Sequence, residues 1–184
     1  MRATAALKEE HRAVKAMLDI WEGIGNRWQK TGELDEEGLS STLEFAQVFV
    51  DRCHHGKEED LLFPALEEAG IQREGGPIGV MLKEHEEGRS HIREIASSLK
   101  EYQKGNREAA KTVVDRMKAY VDLLRQHIEK EDTVLYVLAD QHFSPEKEEE
   151  LLRGFETIEE ERIGKGRHEA FHRMLHELRQ RYPK

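Results

Sequence analysis

At 184 residues the chain has the size of one domain with room for a sizeable core. Its formal charge of -9 opposes general binding to a phosphate backbone, and no apolar run approaches the roughly 18 residues of a membrane span, so neither nucleic acid nor a bilayer is an expected partner. One cysteine, Cys53, excludes an intramolecular disulfide, and with no apolar leader at the N-terminus the expected location is the cytoplasm.

Apolar residues recur at three- and four-residue spacing and no stretch alternates, which predicts an all-helical protein. The first helix is expected from about Thr4 to Gln29, with Leu7, His11, Val14, Leu18 and Trp21 on one stripe and Thr31-Gly32-Glu33 as its end. The second starts near Asp35 and turns Leu43, Val50, His54, Glu58, Leu61 and Ala65 inward, with Pro64 kinking or closing its last stretch. After a loop from Gly70, Pro77 opens a third helix through Ile78, Met81, Leu82, His85, Ile92 and Ile95 towards Gly105. Asn106 is expected to cap the fourth, from about Arg107 to Gln141, whose inner face carries Val113, Met117, Tyr120, Leu124, His127, Glu131, Val134 and Leu138. Ser144-Pro145-Glu146 restarts a helix, and Gly164 and Gly166 split the remainder in two. The pattern predicts an antiparallel up-down four-helix bundle over residues 1–142, with a helical extension over 143–184 packed on it.

Two matching cassettes stand out, His54-His55-Gly56-Lys57-Glu58-Glu59 running on to Phe63, and His127-Ile128-Glu129-Lys130-Glu131-Asp132 running on to Tyr136. In a helix, residues four apart share a face, so His54 with Glu58 and His127 with Glu131 each present an imidazole and a carboxylate together. His55 with Glu59 has the same spacing; the stripe of Val50 and Leu61 favours His54 and Glu58. With His11 and His85 on the inner stripes of the other two helices, every long helix offers one histidine. Four imidazoles and two carboxylates suit two ions, and this mixed nitrogen and oxygen set fits iron better than structural zinc, which more often recruits thiolates. Without metal, burial of Glu58 and Glu131 would be costly.

These residues resemble the hemerythrin-like, or HHE cation-binding, family. The resemblance rests on Glu10-His11-Arg12, on the two cassettes with Leu62-Phe63-Pro64, and on Glu84-His85-Glu86, in that family's order over roughly residues 1–142. It implies a four-helix bundle holding two iron ions, oxo- or hydroxo-bridged, on His11, His54, Glu58, His85, His127 and Glu131. The histidines would be terminal ligands and the glutamates bridges, with Leu7, Val50, Leu61, Met81 and Val134 as an apolar lining. Oxygen-carrying members place a second histidine one turn after the first on helix three, where this chain has Arg89. The site is therefore closer to the four-histidine, two-glutamate pattern of the bacterial iron-sulfur repair proteins, with one position left to solvent or another side chain.

The resemblance implies a centre that binds or senses oxygen, nitric oxide or peroxide, with sensing calling for a separate protein partner. Peroxide decomposition and iron storage or donation share the same ligands, and a metal-free helical interaction module is the reading from a different class. The C-terminal His168-Glu169-Ala170-Phe171-His172 fits a zinc-protease pattern, but a strandless chain offers no edge to align a peptide. The better expectation for His168 or His172 is to fill the open position of the bundle site. Cys53 is read as a small buried filler and His91 as a surface residue.

Overall fold

The structure, a computed structural model, describes residues 2–164 and 166–183. Among the described residues there is no strand, and the chain forms six helices. Helix α1 (Ala3–Thr31) ends at Gly32, whose φ of 74° is left-handed and whose N–H donates to the Trp28 carbonyl, a closure that favours glycine. Helix α2 covers 36–68 and opens on Asp35, whose side chain accepts the Gly38 N–H. Helix α3 (Pro77–Gln103) has its proline in the first turn, where the missing N–H costs nothing. Helix α4 covers 109–142. Helices α1 to α4 run up and down around a shared interior. Helix α5 (Pro145–Arg162) is capped by Ser144, and α6 (Arg167–Arg181) follows the left-handed Gly164 and Gly166.

Two of the four bundle helices are not regular. Helix α2 widens into π-helix over Ala46–His55 and again over Glu58–Leu62, and α4 does so over Glu131–Leu135. The Phe63 N–H donates to the Glu58 carbonyl and the Tyr136 N–H to that of Glu131, each five residues back. One extra residue in a turn rotates everything after it by about 100°. Leu62 and Phe63, and likewise Leu135 and Tyr136, therefore face the interior. The regular-helix reading of Leu61 and Val134 as lining fails for this reason: Leu61 is half-buried, and Val134 is 48 % exposed. Pro64 does not end α2, because it falls in the first turn of the α-helix that resumes at Phe63. Nor does Asn106 cap α4, which starts at Ala109 without a side-chain cap; only the Asn106 carbonyl takes part, accepting the Ala109 N–H.

Burial divides the interior into three layers. One apolar cluster gathers Val14, Leu18, Trp21, Phe45, Phe49, Val50, Ile92, Tyr120 and Leu124; the other gathers Leu7, Leu62, Phe63, Ile78, Met81, Leu135 and Tyr136. Between them, in all four bundle helices, lie the buried polar residues His11, His54, His55, Glu58, His85, His127 and Glu131. Helices α5 and α6 complete both apolar ends: Leu151 and Phe155 join the second cluster, and Phe171, Leu175, Leu178 and Tyr182 join the first. No described helix is long and apolar enough to cross a membrane.

Candidate metal centre

The seven residues of the middle layer are each at most 4 % exposed. Their donor atoms form two groups, His55, Glu58, His85 and His127 in one and His11, His54 and Glu131 in the other, with the atoms of each group within 4.8 Å of one another. The His85 and His127 Nε2 atoms are 3.1 Å apart, and so are those of His11 and His54. Glu131 reaches both groups, with Oε1 3.0 Å from His127 Nε2 and Oε2 3.2 Å from His11 Nε2. Glu58 Oε2 lies 3.4 Å from His85 Nε2 and 3.9 Å from His54 Nε2.

Each of four imidazoles is fixed from behind by a carboxylate on a neighbouring helix. His11 Nδ1 meets Asp132 at 2.9 Å, His54 meets Glu10 at 2.7 Å, His85 meets Glu59 at 2.8 Å and His127 meets Glu84 at 2.9 Å. Such a partner fixes the proton on Nδ1 and turns the Nε2 lone pair inward, as outer carboxylates do behind metal-bound histidines. The paired Nε2 lone pairs then confront each other, and Glu58 Oε2 and both Glu131 oxygens are buried without a hydrogen bond of acceptable geometry. A layer built of electron-pair donors facing one another is stable only with positive charge among them. Two nitrogens each about 2.1 Å from one ion and at right angles are about 3 Å apart, so the observed spacing fits shared ions.

Protons compete for the same atoms. Burial opposes charge on His11, but its hydrogen bond to Asp132 and the nearby carboxylates of Glu131 and Glu58 outweigh that and lift it to about 9. For His127 burial is likewise overcome, by the Glu131 charge beside it and the hydrogen bond to Glu84, again to about 9. Burial works against His85 too, yet its carboxylate partners hold it well above the ordinary histidine value. Glu131 stays far below the usual carboxylate range despite burial, because His127, His11 and His85 surround it. His55 differs: burial and its histidine neighbours push it well down, so it is a neutral imidazole.

All six residues that the resemblance implies as ligands are brought together, and the other candidates divide. His55 joins the cluster, its ring stacked on that of His85 at 3.9 Å, with Nδ1 buried, unpartnered and 3.6 Å from Asp51 Oδ1. Glu59 does not enter; it stands behind His85 and pairs with Arg89 at 2.6 Å. His168 and His172 are not brought to the layer, since α6 lays them against the outer face of Phe49, with His168 34 % exposed. Cys53 is a buried free thiol, which burial raises to about 12, and His91 is half-buried and outside both groups.

The outer carboxylates carried a sequence signal. Residues 54, 57, 58 and 59 correspond to 127, 130, 131 and 132 at an offset of 73, and residues 10, 11 and 15 to 84, 85 and 89 at 74. The contacts repeat accordingly: Lys57 pairs with Glu10 as Lys130 does with Glu84, and Arg89 with Glu59 as Lys15 does with Asp132. The two hairpins, α1 with α2 and α3 with α4, build the layer as near-equivalent halves.

The hemerythrin HHE cation-binding domain model matches residues 2–139, the four helices that build this layer. The chain belongs to that family. Uncharacterized proteins from two strains of Mycobacterium tuberculosis and from Mycobacterium bovis are each 26 % identical over 159 residues, covering 86 % of this chain. The chain spans 61 % of the length of those relatives. No solved structure matches it. Family and buried cluster agree on metal-cation binding as the coarse function of this hemerythrin-like chain.

Proposed function

We propose that this hemerythrin-like chain is a non-haem di-iron protein whose centre binds or senses oxygen, nitric oxide or peroxide. The observation that carries the reading is the double set of inward imidazoles, each oriented by its own carboxylate, around two glutamates that reach between the sets. His85, His127 and His55 would hold one ion, and His11 and His54 the other, with Glu58 and Glu131 between them. Two irons held this way supply reversible one-electron changes and an open position for a small ligand.

The protein's own part is orientation, charge and access. Two carboxylates hold the pair together, and the outer carboxylates keep the imidazoles basic. Leu7, Leu62, Phe63, Leu135 and Tyr136 close one side of the layer to water. A cleft of about 300 Å³ between α2 and α3 reaches His55 and His85, lined also by Asp51, Gly88, Arg89 and Tyr120. It opens on the His55 side of the layer and gives a small ligand a route to it. A methyl group at Gly88 would lie 3.4 Å from the Tyr120 ring, so glycine keeps this wall thin.

The test is anaerobic loading with ferrous iron, followed by absorption spectra during exposure to oxygen, nitric oxide and peroxide. Ligand-dependent bands that form at two irons per chain support the reading, and their absence from an iron-loaded protein overturns it. Faster formation with Gly88→Ser than with the native chain would contradict the cleft as the route.

A further inference from the structure

We propose that the Tyr136 phenolic oxygen is itself a metal ligand, completing the donor set of the His11–His54 ion. This rests on the di-iron reading above and deepens it. The two groups of donors are unequal, with four residues on the His85 side and three on the His11 side. The two halves of the bundle are near-repeats, and the residues at which they differ are informative. His55 stands where the second half has Ile128, and it adds an imidazole to the His85 group. Tyr136 stands where the first half has Phe63.

The rings of that second pair do the same packing. Phe63 stacks on His85 with centroids 5.8 Å apart and planes at 19°, and Tyr136 stacks on His11 at 5.5 Å and 11°. The repeat therefore accounts for an aromatic ring at position 136 and leaves its hydroxyl unexplained. That hydroxyl is fully buried, donates to Glu58 Oε1 at 2.6 Å and lies 3.4 Å from His11 Nε2. Position separates it from the outer carboxylates. Glu10, Glu59, Glu84 and Asp132 touch the histidines at Nδ1, on the far side from the centre. Tyr136 touches an inward Nε2 and an inward carboxylate oxygen, so its oxygen stands among the donor atoms and not behind them. Separations of about 3 Å are those of neighbouring ligands on one ion. A phenolic oxygen is a hard donor suited to ferric iron, and on coordination its proton would leave to solvent together with those the metal displaces from the imidazoles.

The test is resonance Raman and visible absorption spectroscopy of the ferric-loaded full chain, with and without ring-deuterated tyrosine, on the native protein and on Tyr136→Phe and Tyr120→Phe. Phe63 in the equivalent place shows that a phenyl ring fits there, so Tyr136→Phe is expected to fold and to retain iron. The expected result is a visible tyrosine-to-iron band with ring modes that shift on deuteration, retained in Tyr120→Phe and lost in Tyr136→Phe. A native protein holding two irons without those modes would overturn this inference and leave the di-iron reading standing. Modes that persist in Tyr136→Phe would overturn it equally, and failure to take up iron at all would overturn both readings. The isotope shift in the native chain decides the question even if the variant does not fold.

Discussion

Glu10 and Asp132 do the same work for their histidines, yet the structure predicts very different consequences when each is replaced by its amide. Glu10 accepts from His54 and also from Lys57, whose side chain is only 3 % exposed. In Glu10→Gln that ammonium keeps a single carboxylate, Glu159 at 3.1 Å, which is 38 % exposed. Removing one partner of a buried pair costs about 3–5 kcal/mol, and the surviving Glu159 contact places this case near the lower end. For a chain of this length about 3 kcal/mol lowers the melting temperature by about 6–12 °C. Asp132 pairs with Lys15, which is 46 % exposed, so in the metal-free state Asp132→Asn adds at most about 1 kcal/mol to the cost of the lost histidine contact, a cost that the two variants share. In both variants the histidine loses its orienting carboxylate, which should weaken metal binding by about 10–100-fold. The assay is thermal unfolding of chelator-treated protein, repeated after metal loading, alongside metal titrations. Lys57→Met added to Glu10→Gln should recover most of the lost stability but none of the lost affinity. Equal melting temperatures for the two metal-free amide variants would refute the reasoning.

Further expectations follow from the same geometry. Burial raises Glu10 but His54 and Lys57 outweigh it and hold it at about 2, below its ordinary value of 4.5; its stabilisation is therefore full above pH 4.5 and lost as pH falls towards 2. Native protein should show an acid unfolding limb in that window, read by circular dichroism, that is weaker in Glu10→Gln. His11 and His127 lie at about 9 against an ordinary 6.5, so their contribution to the metal-free protein is present below 6.5 and lost as pH rises through 9. Urea unfolding should accordingly show metal-free stability declining over that range, and a flat response would contradict the assignment. Leu135→Ala should cost about 2–5 kcal/mol and Val134→Ser no more than about 0.5, an order that a regular helix through 131–135 would reverse. His168→Ala and His172→Ala should leave metal content unchanged, whereas His55→Ala should weaken one ion's binding more than the other's in a metal titration.

Local chemistry made most of the helical frame legible. Gly32 as a left-handed stop, Asp35 and Ser144 as caps, and Pro77 in a first turn are each decided by a few neighbouring atoms. The inward histidines were legible for a similar reason, since each lies on an apolar stripe that the bundle must bury. What escaped is what depends on partners across the bundle. Two of the π-helical stretches begin at Glu58 and Glu131, and periodicity assumes the regular pitch that they break, which misplaced Leu61 and Val134. His55 and Glu59 share the spacing of His54 and Glu58, so only the tertiary fold decides that His55 faces inward while Glu59 stands behind His85. His168 and His172 lie beyond a break at Gly164 and Gly166, and no local rule fixes where α6 docks.

The measurement that tests the central claim most directly is metal content per chain by plasma mass spectrometry, on protein purified anaerobically from iron-supplemented cells. Two irons per chain are predicted, reduced to one or none when His54 and His127 are both replaced by alanine and unchanged when His168 and His172 are. No stoichiometric metal, or one zinc that survives loss of His54 and His127 and leaves with His168 and His172, would contradict the account.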